Sequence, residues 1–379
     1  MTSVSVWRRS MTTLVMGSVL SFGLFGLFGL GTQPVHAKAP DEQLICIDPG
    51  HQRYGNNGLE PVAPGAKERK PKVSSGTAGV KTKKPEYVLT LEASRLLKDK
   101  LESYGYRVVM VRDSHDVDIT NIERAQMCND AQADLAVRIH ADGDASPKTQ
   151  GISLLYPAPG RDTESLVAPS KEAAELILRE AVAATGAVSR GVVPRSDLTG
   201  FNWSTVPSVL VEMGFMTNPA EDAKLSDPEY LNAMTEGIAN GINAALAARV
   251  DAPVVEESSR VFLPAGSAQL YDLSGDGRML RTKAALSPQV LQVSAVMGSW
   301  GRVSTWMGER WVYLGHALSP VQAVNKQVEL ADNTPLYRSP HDAEPLARLT
   351  AQRVGALEQW NEWFLIDTWM GPLWITPSK

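Results

Sequence analysis

Cysteine is nearly absent: Cys46 and Cys128 are the only two in 379 residues. Two thiols make no disulfide framework, so the fold must rest on an apolar core, and whether these two pair is not legible from their positions. Runs of positive charge are also lacking. With 37 Lys and Arg against 42 Asp and Glu, the formal charge is -5. No basic cluster is available to neutralise phosphates, which excludes a nucleic-acid partner. Histidine is sparse as well, with only His51, His115 and His140 between residues 38 and 249.

What is present points to export. Arg8-Arg9 precede an uncharged, mostly apolar run from Met11 to Leu30, and Val35-His36-Ala37 places small residues at the two positions a signal peptidase reads. Residues 1–37 are expected to be a signal peptide cleaved near Ala37, giving a secreted, cell-wall-associated chain that starts near Lys38. A retained anchor is the alternative, disfavoured by the glycines of the run. No cysteine follows the run, which excludes a lipoprotein anchor. Cleavage removes Arg8 and Arg9, leaving -5 - 2 = -7.

At 43% hydrophobic composition the remainder can bury a large core and hold two or three domains. From Leu44 to about Arg249, strand and helix patterns alternate. Strands are expected at Leu44–Ile47, Arg107–Val111, Leu135–Ile139, Ile152–Tyr156 and Ser208–Val211. Helices are expected at 87–104, 119–131, 170–185 and 230–247. This alternation predicts a three-layer α/β/α domain with a mainly parallel sheet.

Two of the histidines stand in the same relation to a strand. His51 follows the turn Asp48-Pro49-Gly50 in "ICIDPGHQRYGNNG", and His140 follows the run in "ADLAVRIHAD". Strand ends of α/β sheets collect ligands and catalytic groups, whereas His115 lies in the polar "RDSHDVD". If the domain binds zinc through imidazoles, His51 and His140 are the pair, and a catalytic zinc takes a third protein ligand. Glu86, after Pro85, is the best candidate, although a glutamate in a helix first turn is also what the helix dipole favours by itself. Glu212 stands among apolar neighbours in "PSVLVEMGF". A carboxylate there is costly unless paired or used, and it suits proton transfer.

The order "DPGH", "PEYVLTL", "IERAQMCNDAQADLAVRIHAD" and "PSVLVEMGFMTNPAED" resembles that of the zinc-dependent N-acetylmuramoyl-L-alanine amidases, over roughly Leu44 to Arg249. The resemblance implies that His51, Glu86 and His140 bind one Zn2+ and that Glu212 is the catalytic carboxylate. It also implies a peptidoglycan substrate, cleaved at the amide between the lactyl group of N-acetylmuramic acid and L-alanine of the stem peptide. The stretch between His51 and Glu86 is longer than in compact members of the family, and it reads either as a wall or lid of the substrate groove or as a tolerated surface loop.

Beyond a linker expected at 250–259, a repeat appears. "SWGRVSTWMGERWVYL" aligns with "EWFLIDTWMGPLWITP", placing Trp300 on Trp363, Trp306 on Trp369 and Trp311 on Trp374, and Tyr271 falls on Tyr337 upstream. The units resemble bacterial SH3-like modules, two small all-β barrels expected at 260–324 and 325–379 after a catalytic domain at 43–249. Such modules would hold the enzyme, expected to be a monomer, on the cell wall. Trp306 and Trp369 are expected in the module cores. Rival readings are a cell-surface zinc peptidase or deacetylase and a non-catalytic wall-binding protein.

Overall fold

The strand β1 (Leu44–Pro49) is buried along its whole length because strands lie on both sides of it and helices cover its faces. The computed structural model describes residues 42–263, 268–315 and 319–376, so the expected signal segment lies outside the described residues. A hairpin, β2 (Asn56–Pro61) and β3 (Arg69–Val73), follows β1 and occupies the long insertion. Next come α1 (Glu86–Ser103), β4 (Arg107–Met110), α2 (Asn121–Asp130), β5 (Leu135–Asp142), β6 (Ile152–Pro157), α3 (Glu164–Thr185), β7 (Ser189–Arg195), the short α4 (Thr199–Asn202), β8 (Ser208–Phe215), α5 (Pro219–Leu225) and α6 (Pro228–Leu246).

These strands form one sheet in the order β4-β1-β5-β8-β6-β7, parallel except where β6 runs against β8. The three-layer, mainly parallel architecture expected from the pattern is therefore present. Side chains alternate across a strand, and the parity here decides everything that follows. Odd-numbered residues Leu135, Val137, Ile139, Val209 and Val211 pack into the large core with α1, α3 and α6. Even-numbered Arg138, His140, Leu210 and Glu212 face the other way and line a cleft.

Local chemistry accounts for the helix starts. Thr120 and Glu123 form a capping box for α2, and Asn218 and Asp227 cap α5 and α6 with proline as the next residue. Helix α3 begins at Glu164, ahead of the expected Ser170, and carries Pro169 within it. One intrahelical hydrogen bond is lost there, and burial of the apolar face outweighs it. Cys46 on β1 and Cys128 on α2 are joined in a disulfide within a small apolar cluster between sheet and helix. No described helix is long and apolar enough to cross a membrane.

The C-terminal part is all antiparallel β. The strands β9 (Ala248–Arg249), β10 (Val255–Leu263), β11 (Ala268–Leu273), β12 (Arg278–Leu286), β13 (Gln289–Met297), β14 (Trp300–Thr305), β15 (Gly308–Tyr313) and β16 (Ser319–Pro320) form one sheet. The strands β17 (Gln322–Leu330), β20 (Gln352–Trp360), β21 (Trp363–Ile366) and β22 (Leu373–Ile375) form another, with β18 (Thr334–Leu336) paired to β19 (Ala347–Leu349). Strand β10 takes up half of the expected linker, pairing Val255 and Glu256 with Val296 and Ala295 of β13. The repeat is structural: Tyr271 lies opposite Trp311 as Tyr337 lies opposite Trp374, and each tyrosine ring packs on the first aligned tryptophan of its unit, Trp300 or Trp363.

The first β unit is fastened to the α/β domain. Arg281 lies over the Tyr106 ring at 3.9 Å and donates to the carbonyl of Gly105, while Asn243 of α6 exchanges two hydrogen bonds with the Arg281 backbone. Arg278 donates to the carbonyl of Ala244 and pairs with Glu172. The two β units meet through Phe262, whose ring lies 3.9 Å from that of Trp360, and through the Arg260–Glu358 ion pair.

The expected burial of two tryptophans is overturned. Trp306 and Trp369 are not core residues: each is 71% exposed, at the tip of a tight turn between two strands, where neither sheet face points inward.

Candidate active site

The loop carrying His51 is held by carbonyl oxygens. Arg112 donates to the carbonyls of Pro49 and Gly50, Arg124 to those of Pro49 and His51, and Thr90 to that of Gly50. Both Arg124 and Arg138 pair with buried Asp48, at 2.6 and 2.9 Å. Burial alone would raise the Asp48 carboxyl, but the two guanidinium groups outweigh it and bring the pKa down to about 2. So restrained, His51 adopts φ 60, a left-handed backbone that non-glycine residues rarely take. Gly50 is required beside it, because a Cβ there would stand 2.4 Å from the His140 ring. Sequence reading did not single out this arginine–aspartate lattice, since an arginine on a helix ordinarily reads as surface.

Glu86 is the first residue of α1, where the sequence places it. The loop before it is clasped by buried Asp222, which accepts from the backbone of Lys81 and Thr82 and from the Thr82 hydroxyl. Both carboxylate oxygens of Glu86 are held, by the backbone N–H of Thr77 and of Ala141. One of them, Oε1, lies 3.1 Å from His51 Nε2 and 3.1 Å from His140 Nδ1. Burial opposes ionisation of Glu86, yet the two imidazoles hold it well below the usual carboxylate range. Burial also depresses His140, to about 4, so its ring is neutral and able to act as a ligand.

The three side chains thus present ligand atoms within 4.8 Å of one another, the one such cluster among the described residues. His115, by contrast, packs against Tyr87 and is not among them. Of the two His140 ring nitrogens, Nδ1 is the one that faces Glu86 Oε1 within the cluster, while Nε2 is buried and has no hydrogen-bond partner. Two imidazoles and a carboxylate are a donor set that suits Zn2+, and neighbouring ligands of a tetrahedral zinc stand roughly 3.3 Å apart. The residues fit the ion.

Glu212 lies directly beside this cluster. It is not at a strand end but within β8, in register with His140 of β5, so the two side chains emerge from adjacent strands on one face. Its carboxyl is pushed well above the ordinary value, first by burial and then by the charges of Glu86 and Asp142, against the opposing pull of Arg195 and Arg138. Its Oε2 is buried without a partner.

All four residues open on a cleft of about 670 Å³. The insertion supplies one wall as an ordered hairpin: Lys70 Nζ donates to the carbonyl of Asp197, while Asn202 and Trp203 donate to the carbonyls of Val62 and Pro61. Arg195 and Asp197, paired at 2.7 Å, also line the cleft, and Asp197 adjoins the hairpin through Lys70. Hydrogen bonds from Arg195, with Lys70 also contributing, hold the Asp197 carboxyl well below the usual range.

Comparison with known proteins bears on this geometry. The sequence profile of the N-acetylmuramoyl-L-alanine amidase family, Amidase_3, matches residues 45–244. An N-acetylmuramoyl-L-alanine amidase of Mycobacterium tuberculosis is 29% identical over 211 residues, covering 52% of this chain and 85% of that protein. The amidase LytC of Bacillus subtilis is 29% identical over 199 residues, covering 52% of this chain and 34% of its own length. Among solved structures, the N-acetylmuramyl-L-alanine amidase Ami1 of Mycobacterium smegmatis aligns at 30% identity and a TM-score of 0.49, over 54% of this chain and 96% of that one.

Proposed function

The chain belongs to the N-acetylmuramoyl-L-alanine amidase family of peptidoglycan hydrolases, and on that premise we propose that it cleaves the amide between the muramic lactyl group and L-alanine with zinc held by His51, Glu86 and His140. Bound there, zinc supplies Lewis acidity toward the scissile carbonyl and lowers the pKa of the attacking water. His51 and His140 present imidazole nitrogens, and Glu86 brings the negative charge that the helix start and two backbone N–H groups hold in place.

Glu212 moves the proton. A carboxyl that burial and two neighbouring acids push upward is a strong enough base to accept a proton from water and a strong enough acid to deliver it to the departing alanine nitrogen. The observation that carries this reading is the register of His140 with Glu212, which sets a desolvated carboxyl beside the three-ligand cluster. The hairpin wall and the Arg195–Asp197 pair bound the groove in which the muramyl peptide lies.

The setting is extracellular in this reading: residues 1–37 direct export, and a disulfide between β1 and α2 suits an oxidising compartment. Residues 43–249 are the catalytic domain, and the two repeated units, in spans near 260–324 and 325–379, are SH3-like modules that hold the enzyme on the wall. The test is mass spectrometry of peptidoglycan fragments released by the chain from Lys38 onward. Stem peptides with a free L-alanine amino terminus, suppressed by a chelator, support the proposal; internally shortened stem peptides or free acetate refute it.

A further inference from the structure

Each repeated unit ends a hairpin in the same four residues, Thr-Trp-Met-Gly, at 305–308 and at 368–371. The threonine clips the turn from within. Thr305 Oγ1 accepts from the Met307 N–H at 3.1 Å and donates to the Gly308 carbonyl at 2.8 Å. Thr368 does the same toward Met370 and Gly371, at 3.1 and 2.6 Å. Gly308 and Gly371 adopt φ 88 and 93, which L side chains rarely take, so the clip closes only with glycine last. With the backbone fixed this way, both central side chains project into solvent: Trp306 and Trp369 to the same extent, and Met307 and Met370 beside them.

Single exposed apolar residues need no explanation, but the same exposed pair at equivalent positions of two units does. The other aligned tryptophans behave differently, since Trp300, Trp311 and Trp374 are buried and Trp363 is half-buried. The turn chemistry is therefore spent on display and not on packing.

We propose that the two Trp-Met tips bind the glycan strands of peptidoglycan, each indole face stacking on the apolar face of a sugar ring. The proposal rests on the wall-association reading above and names the wall component that is held. Three features select the glycan. Beside Trp369 is a groove of about 340 Å³, in which apolar Leu349, Val354 and Ile366 meet Gln352, Asp367 and Thr368. An aromatic platform bordered by amide, carboxylate and hydroxyl groups matches a ligand that carries C–H faces and a rim of hydroxyls. Charge speaks against an anionic lipid surface: residues 250–379 hold 11 Lys and Arg against 13 Asp and Glu, 11 - 13 = -2, and Asp367 borders the tryptophan. Duplication fits a polymer that repeats, because a second site on the same strand gains from the effective concentration set by the first.

The experiment uses the chain from Lys38 onward with Trp306→Ala, Trp369→Ala and both together. Sedimentation is measured with intact peptidoglycan, with glycan strands freed of their peptides, and with neutral and anionic phospholipid vesicles; turnover is measured on a soluble muramyl peptide. The double variant is expected to bind freed glycan strands about tenfold more weakly or worse, the usual result of truncating an interface tryptophan. Each single variant should fall between, with soluble turnover unchanged. Undiminished glycan binding by the double variant overturns the proposal, as does tryptophan dependence seen only on vesicles. If the parent chain sediments with intact peptidoglycan but not with freed glycan strands, the glycan assignment fails and wall association stands. If it sediments with neither, both fall.

Discussion

His140 and Glu212 stand side by side in the register of two parallel strands, one ring nitrogen and one carboxylate oxygen of the pair buried without a partner. The candidate metal ligands and the carboxyl proposed to carry the proton thus meet at one face of the sheet. His51→Ala or His140→Ala is expected to abolish zinc retention and turnover together, because either change leaves two protein ligands. Elemental analysis of the purified variants checks this; stoichiometric zinc in both would remove the cluster from consideration. Loss of the ion should also lower the melting temperature, since a ligand of the folded state alone stabilises it.

The lattice under the site predicts a pH dependence of stability. Asp48 falls from 3.8 to about 2 on folding, so its contribution is present in full above pH 3.8 and is lost as pH falls through 2. A shift of this size is worth about 2 kcal/mol. Asp48→Asn should therefore destabilise at neutral pH, by about 3–5 kcal/mol because two buried guanidiniums lose their partner, and should flatten the acid limb of the stability profile. Denaturant unfolding between pH 2 and 7 reads both effects, and an acid limb as steep as the parent's would contradict them.

The Cys46–Cys128 bond closes a loop over a sequence separation of 82 residues. Cys46→Ala with Cys128→Ala should cost about 2–4 kcal/mol of stability. The four site residues lie outside the cysteine cluster, so turnover of the folded protein should persist. Unfolding curves of parent and variant, oxidised and reduced, check this: a reductant should move the parent's midpoint and leave the variant's in place.

A chain ending near Arg249 cuts β9 from β12, removes Arg281 from the face of Tyr106 and takes away the two backbone hydrogen bonds between Asn243 and Arg281. Its stability should fall measurably below that of a chain extended to Val321, which keeps the first β unit. Equal unfolding midpoints for the two would show that the contact between the units contributes nothing.

Much of this was legible beforehand because it depends on local pattern. Buried runs announced β1, β5 and β8; His51 follows the end of β1 and Glu86 begins α1, whereas β5, expected to stop at Ile139, runs on through His140 to Asp142. Less was legible where distant residues decide the outcome. The hairpin of β2 and β3 lacks alternation and is ordered by Lys70, Asn202 and Trp203 across the cleft. The disulfide depends on α2 crossing β1, and the exposure of Trp306 and Trp369 depends on a threonine clip that composition does not betray. Glu212 was found by its apolar neighbours, although the strand runs on past it to Phe215.

The central claim divides the labour between ligands and proton carrier, and Glu212→Gln tests it most directly. The amide keeps the shape of the side chain but takes up no proton at neutral pH, and loss of such a group costs roughly 100- to 10,000-fold in rate. Zinc content by elemental analysis and turnover on a muramyl peptide should be measured on the same preparation, beside Glu86→Gln. The account predicts a Glu212→Gln protein with full zinc and almost no release of L-alanine-terminated peptide, and a Glu86→Gln protein that retains zinc poorly. A Glu212→Gln protein that loses its zinc, beside a Glu86→Gln protein that keeps both metal and activity, would contradict it.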